Sequence, residues 1–134
     1  MSDDVSGWNS FASGPFPEIA GPYRARREGE GWAYAFATDE RHLNRNGVVH
    51  GGALMSFADD TLGATLWEIA GRRPISTVQL NTHFVAPVRA GDVVHLRAEL
   101  VRQTRTLLFV RATLDVQGRT VAALDGIWKI LGER

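Results

Sequence analysis

Between Asn44 and Gly71 the chain runs NRNGVVHGGALMSFADDTLGATLWEIAG, with apolar residues at Leu54, Ala58, Leu62, Thr65/Leu66 and Ile69. That three-and-four step is the spacing of one buried helical face. Gly71 ends the pattern, with Arg72, Arg73 and Pro74 behind it, the usual chemistry of a helix stop. About twenty residues at ~1.5 Å each predict a rod of about 30 Å, enough to cross a small domain. On its wheel Leu54, Met55, Ala58, Leu62, Leu66 and Ile69 share about a third of the circle. Asp59 sits at the edge of that stripe, and Asp60 points away from it toward water.

Most of the remaining chain alternates with the period of a strand. Tyr23 to Glu28 and Trp32 to Thr38 predict a hairpin closed at Glu28-Gly29-Glu30-Gly31. After the helix, Ile75 to Val85 places Val78, Leu80 and Phe84 on one face and Thr77, Gln79, Asn81 and His83 on the other. Val93 to Arg102 turns Val94, Leu96, Ala98 and Leu100 inward. Thr106 to Val116 and Thr120 to Leu131 join at Gln117-Gly118, and the last of them is apolar on both faces, as a central or interface strand is. Ahead of these, Met1 to Gly14 predicts a short helix packing by Trp8 and Phe11 or a frayed segment, and three prolines keep residues 15–22 extended. The expected fold class is α+β, with one long helix covered by five or six antiparallel strands. It forms a single domain over 1–134, of which 1–20 is an N-terminal extension.

Composition narrows the function classes. A chain of 134 residues with 44% hydrophobic content suits one domain. Fifteen basic and fifteen acidic residues cancel, which argues against nucleic acid or an acidic membrane as partner. There is no cysteine, so disulfides, thiol nucleophiles and thiolate-bound metals are out, and a reducing cytoplasm is the expected compartment. No run approaches membrane-spanning length. His42, His83 and His95 lack the spacing of a zinc site, and no phosphate-loop lysine accompanies Gly51-Gly52.

Two features carry chemistry. A carboxylate at the edge of an apolar face is costly unless paired or used, and this singles out Asp59. His50-Gly51-Gly52 places two residues without side chains at the helix start, where unpaired backbone N–H groups and the positive end of the helix dipole favour a ligand oxygen. Asp59 lies eight residues beyond Gly51, about 12 Å along the axis. If Gly51 polarises a carbonyl and Asp59 attacks it, the two come from different subunits of a two-fold dimer.

Asn44, then His50-Gly51-Gly52, Asp59 on a long helix, a strand with Thr77 and Asn81, Ala86-Pro87 and Gly91-Asp92 together resemble the hotdog-fold acyl-CoA thioesterases of the phenylacetate-pathway and human thioesterase superfamily type, over roughly residues 20 to 131. The resemblance implies thioester hydrolysis of an aryl or medium-chain acyl-CoA without metal or other cofactor, in dimers that pair into tetramers. It implies Gly51 as N–H donor to the carbonyl and Asp59 as general base or nucleophile. Asn44 would help hold the carbonyl or water, His50 would position the loop, and Thr77 would orient the water in place of a serine. Gly52, Met55, Leu62 and Asn81 are the expected substrate contacts, and Arg72, Arg73, Arg89, Arg102 and Arg105 are candidates for the CoA phosphates. A hotdog hydratase or dehydratase, and a non-catalytic acyl-CoA binding module, are the alternatives.

Overall fold

The computed structural model describes residues 3–132. Its elements in order are β1 (Asn9–Phe11), α1 (Pro15–Ala20), β2 (Tyr23–Glu28), β3 (Gly31–Ala37), a short 3-10 turn (Glu40–His42), α2 (Gly51–Ile69), β4 (Ile75–Phe84), β5 (Val93–Gln103), β6 (Leu107–Val116) and β7 (Arg119–Ile130). The strands form one antiparallel sheet in the order β1-β2-β3-β5-β6-β7-β4, curled around α2 in the hotdog arrangement. The sheet has seven strands rather than five or six.

The added strand is β1, whose three residues pair with Tyr23, Arg24 and Ala25. Its sequence NSF is too short and too polar to show a period, so backbone pairing, not side-chain patterning, forms it. Two expectations for the N-terminus are therefore corrected. Trp8 and Phe11 do not share a helix, and residues 15–20 are helical rather than extended. Pro15 and Pro17 fit because both stand in the first turn, where backbone N–H groups have no intrahelical acceptor.

The two predicted hairpins close with two-residue loops. Gly29 takes φ 62°, and at the β6–β7 turn Gln117 and Gly118 take φ 50° and 79°, the left-handed pair that matches strand twist. β7 is hydrogen-bonded on both edges, to β6 and β4, and is a central strand. Helix α2 stops at Ala70, with the Gly71 and Arg72 N–H groups turning back to the Glu68 and Trp67 carbonyls. It buries Leu54, Phe57, Ala58, Thr61, Leu62 and Leu66 against Phe36, Val94, Leu114 and Trp128. The buried arc is thus rotated toward Phe57 and Thr61, and Ile69 at the far end is 43% exposed. Among the described residues no helix is long and apolar enough to cross a membrane.

One irregularity in β4 decides which way its side chains point. The ladder with β7 pairs Thr77 with Trp128 and Gln79 with Ile127, leaving Val78 as an extra, bulged residue. A bulge reverses the parity of a strand. Thr77 therefore shares the inward face of Trp128, Leu80 and Phe84, while Gln79, Asn81 and His83 face out. Simple alternation grouped Thr77 with the outward set, and the bulge overturns that grouping.

Candidate active site

The inward turn of Thr77 has an immediate result: its hydroxyl donates a 2.7 Å hydrogen bond to Oδ1 of Asp59. Both line a cleft of about 640 Å³ along the outer side of α2. Its walls are Trp32, Tyr34 and Phe11 on one side and Trp128 and Ile75 on the other, with Gly63 and Ala64 leaving space at the helix surface. A carboxylate that accepts from a hydroxyl keeps lone pairs for a water or a reacting carbon, and the hydroxyl fixes its rotamer.

Asp60 departs from expectation. It lines the same cleft instead of facing bulk water, and its Oδ2 is buried without a hydrogen-bond partner. The cause is non-local: β1, β2 and β3 curl over the side of α2 that a wheel assigns to solvent. Burial first, and the neighbouring Asp59 charge second, raise the Asp60 carboxyl from 3.8 to about 6. The buried Tyr23 hydroxyl nearby is also unpaired, and burial, then Asp60 and Asp59, push it above the usual phenol range.

The Asp60 shift is also a statement about stability. A carboxyl with a higher pKa folded than unfolded holds its proton better in the folded state, so its contribution is most favourable below about pH 4 and is lost as pH rises through about 6. Asp60→Asn is expected to raise stability at pH ~7.5 by about 1 kcal/mol, a value reduced for partial solvent screening. At pH ~4 the gain should vanish. Thermal unfolding of both proteins at the two pH values and one protein concentration checks this, and an equal gain at both would mean that the carboxyl charge is not the cause.

The helix start forms a second site. His50 is the N-cap, and its Nδ1 accepts the Gly52 N–H at 2.8 Å. That bond occupies Gly52 and leaves Gly51, the first helical residue, with an N–H outside the helical ladder. Gly51 lines a pocket of about 380 Å³ with Asn44, Leu54, Phe84 and Val85. Asn44 Oδ1 accepts the Asn46 and Val48 N–H groups at 2.9 and 3.3 Å, so its carbonyl shapes the loop. A side chain on Gly52 would meet the His50 ring at 3.0 Å, and one on Gly51 would meet Phe84 at 3.0 Å.

Within one chain, then, Asp59 and Thr77 stand together in one cleft, and Gly51 and Asn44 in another. Leu62 belongs to the core, 1% exposed, and Met55 lines neither cleft. Asn81 faces outward, where its amide donates to Asp125 at 3.1 Å and accepts from Gln79. His42 joins two segments, accepting the Asp39 N–H at Nδ1 and meeting the Gly21 carbonyl at Nε2. Sequence reasoning missed Asp60, Trp128 and Tyr34 as cleft residues. An odd spacing was the available signal for the strand, since core-facing Ile75 and Leu80 stand five apart where regular alternation needs an even number.

The model of the thioesterase superfamily matches residues 46–123. A Pseudomonas aeruginosa protein described as an esterase is 30% identical over 122 residues, which cover 90% of this chain and 91% of that one. Acyl-coenzyme A thioesterase 13 of Mus musculus is 27% identical over 86 residues, 64% of this chain and 60% of its own. Among solved structures, a mutant of the phenylacetic acid degradation protein PaaI from Thermus thermophilus superposes with a TM-score of 0.77 at 27% identity, over 88% of this chain and 100% of that one.

Proposed function

The chain belongs to the thioesterase superfamily, and from that premise we propose that it hydrolyses an aryl or medium-chain acyl-CoA to the free acid and CoA, at sites shared between two subunits. The observation that carries the reading is the Thr77–Asp59 hydrogen bond inside an aromatic-walled cleft. The coenzyme A part of the substrate rests on similarity to a relative of that name.

The two half-sites lie at opposite ends of β4, Thr77 near its start and Phe84 against Gly51 at its end. β4 is one of the two outer strands of the sheet, and Val78, Phe84 and Val85 on or beside it are 59%, 51% and 58% exposed. An unpaired, apolar edge favours addition of another strand. Two copies joined there antiparallel about a two-fold axis set the Thr77 end of one beside the Phe84 end of the other. Each composite site then has Gly51 N–H, with the Asn44 amide, on the thioester carbonyl from one subunit. The other subunit supplies Asp59, held by Thr77, as general base on water or as nucleophile. The thiolate leaves readily, so no triad is required. A pairing of such dimers into a tetramer and a cytoplasmic location complete the proposal.

The direct test is CoA release, followed with a thiol reagent, over a panel of aryl and straight-chain acyl-CoAs. Release above background supports the reading, and silence across the panel would sink it. Thr77→Val should slow release by roughly tenfold or more, the scale of one hydrogen bond to a charged group, while Thr77→Ser should keep most of the rate. Equal losses for the two variants would assign Thr77 to packing.

A further inference from the structure

The cleft that holds Asp59 has an unusual charge balance for a site taking an acyl tail. Three of its lining residues are acidic, Asp59, Asp60 and Glu68, and among the described residues none that lines it is lysine, arginine or histidine. Glu68 is answered by Arg72, whose Nε stands 3.2 Å from its carboxylate. Asp59 has the Thr77 hydroxyl. Asp60 has neither, and one of its oxygens is sealed in the wall without a donor. The same cleft is lined by the exposed rings of Trp32 and Trp67 and by the buried Tyr34 and Trp128. Aromatic faces with a nearby carboxylate are the ordinary environment of an organic cation. In this molecule Arg27 and Arg72 already sit over the Trp32 and Trp67 rings, at 5.1 and 5.2 Å, without lining the cleft.

We propose that Asp60, with the surrounding aromatic rings, selects thioesters whose acyl group carries a positively charged nitrogen, a protonated or quaternary amine, over neutral and carboxylate-bearing acyl groups. The inference rests on the hydrolase reading of the same cleft and adds the class of substrate. Helix geometry sets the arrangement. Asp59 and Asp60 are adjacent and so about 100° apart around α2, which lets one face the thioester carbon while the other faces the tail. A cationic tail between Asp60 and the tryptophans meets charge and quadrupole together, and it offsets the mutual repulsion of the two carboxylates. A terminal carboxylate in the same place adds a third negative charge to a partly desolvated site.

Three acyl-CoAs of similar length separate charge from size: trimethylammonio-butanoyl-CoA, its neutral isostere in which a quaternary carbon replaces the nitrogen, and the anionic adipoyl-CoA. The wild type should favour the cationic over the neutral compound by about tenfold in kcat/KM, equivalent to ~1.4 kcal/mol. It should disfavour adipoyl-CoA by a similar factor. In Asp60→Asn the cationic-to-neutral ratio should fall close to one. Affinities of the corresponding non-hydrolysable thioether analogues should follow the same order in both proteins. Hydrolysis with no charge preference, or a preference that survives in Asp60→Asn, overturns the assignment while leaving the thioesterase reading in place. Absence of hydrolysis for all three while aryl or straight-chain acyl-CoAs turn over also overturns the assignment. Silence on these and on that whole panel overturns the thioesterase reading instead, and the thioether affinities then decide the charge selection on their own.

Discussion

Asp59→Asn is expected to lower CoA release by at least ~100-fold, the scale lost with a positioned base. The amide keeps the size of the side chain and can still bond Thr77, so the fold and acyl-CoA binding should persist. Gly51→Pro should be as damaging by another route. Proline removes the N–H aimed at the carbonyl, yet it is tolerated at the first helical position, and His50 already has the extended φ of −60° and ψ of 135° that a residue before proline requires. Phe84, the side chain it would crowd, is half exposed within one chain. If sites are composite, dimers containing one chain of each variant have one site with an intact Gly51 and an intact Asp59. Mixing the two inactive proteins under subunit exchange should then restore roughly a quarter of wild-type activity, since about half the dimers are mixed and each regains one of two sites. A mixture that exchanges subunits but stays inactive would refute the shared site and would leave Asp59 acting with some other carbonyl donor.

Gly126→Ala is expected to have the largest effect among changes away from the reacting atoms. Gly126 lies on β7 between Val110 of β6 and Leu80 of β4. A Cβ there would stand 2.6 Å from the Trp128 ring and 2.9 Å from the Gln79 carbonyl oxygen. Trp128 is 2% exposed and cannot swing aside, and Gln79 is backbone beside the bulge that aims Thr77. Overpacking of this kind costs about 1–3 kcal/mol, which for a domain of this size is roughly 5–10 °C in Tm. The strand that must shift also carries Thr77, so CoA release should fall by more than lost stability explains, even at a temperature where the variant is fully folded. A variant with unchanged Tm and turnover would show that the Trp128 ring does not lie over Gly126 in solution.

Much of this molecule was legible in the chain, for physical reasons that also explain the failures. Helix α2 announced itself because a long period-3.6 pattern with a glycine stop has few other solutions. Asp59 stood out because a charge beside an apolar stripe is costly, and His50-Gly51-Gly52 because two consecutive glycines at a helix start leave the backbone open. Asp60 was misplaced because a helical wheel assumes one buried side, whereas here the sheet curls far enough to shade the other. β1 was invisible because three polar-to-apolar residues held by backbone bonds leave no pattern. Helix α1 was hidden behind prolines that break a helix interior but suit its first turn. The inward turn of Thr77 was lost because alternation assumes one residue per ladder step.

The bulge at Val78 also bears on how this site can change over time. Thr77 is aimed by its pairing with Trp128 rather than by the identity of Val78. Val78 is 59% exposed, so substitutions there, Val78→Thr for example, should be nearly silent within one chain. Excision of that single residue would leave Thr77 opposite Trp128 and Gln79 opposite Ile127 in a regular ladder, with the Thr77 hydroxyl still on the inward face beside Asp59. The position is therefore tolerant both to a change of side chain and to its own loss. Among descendants of this sequence, a β4 shorter by this one residue is expected to keep the Thr77–Asp59 pair and with it hydrolysis, whereas a chain that loses the Asp59 carboxylate or the Thr77 hydroxyl is not.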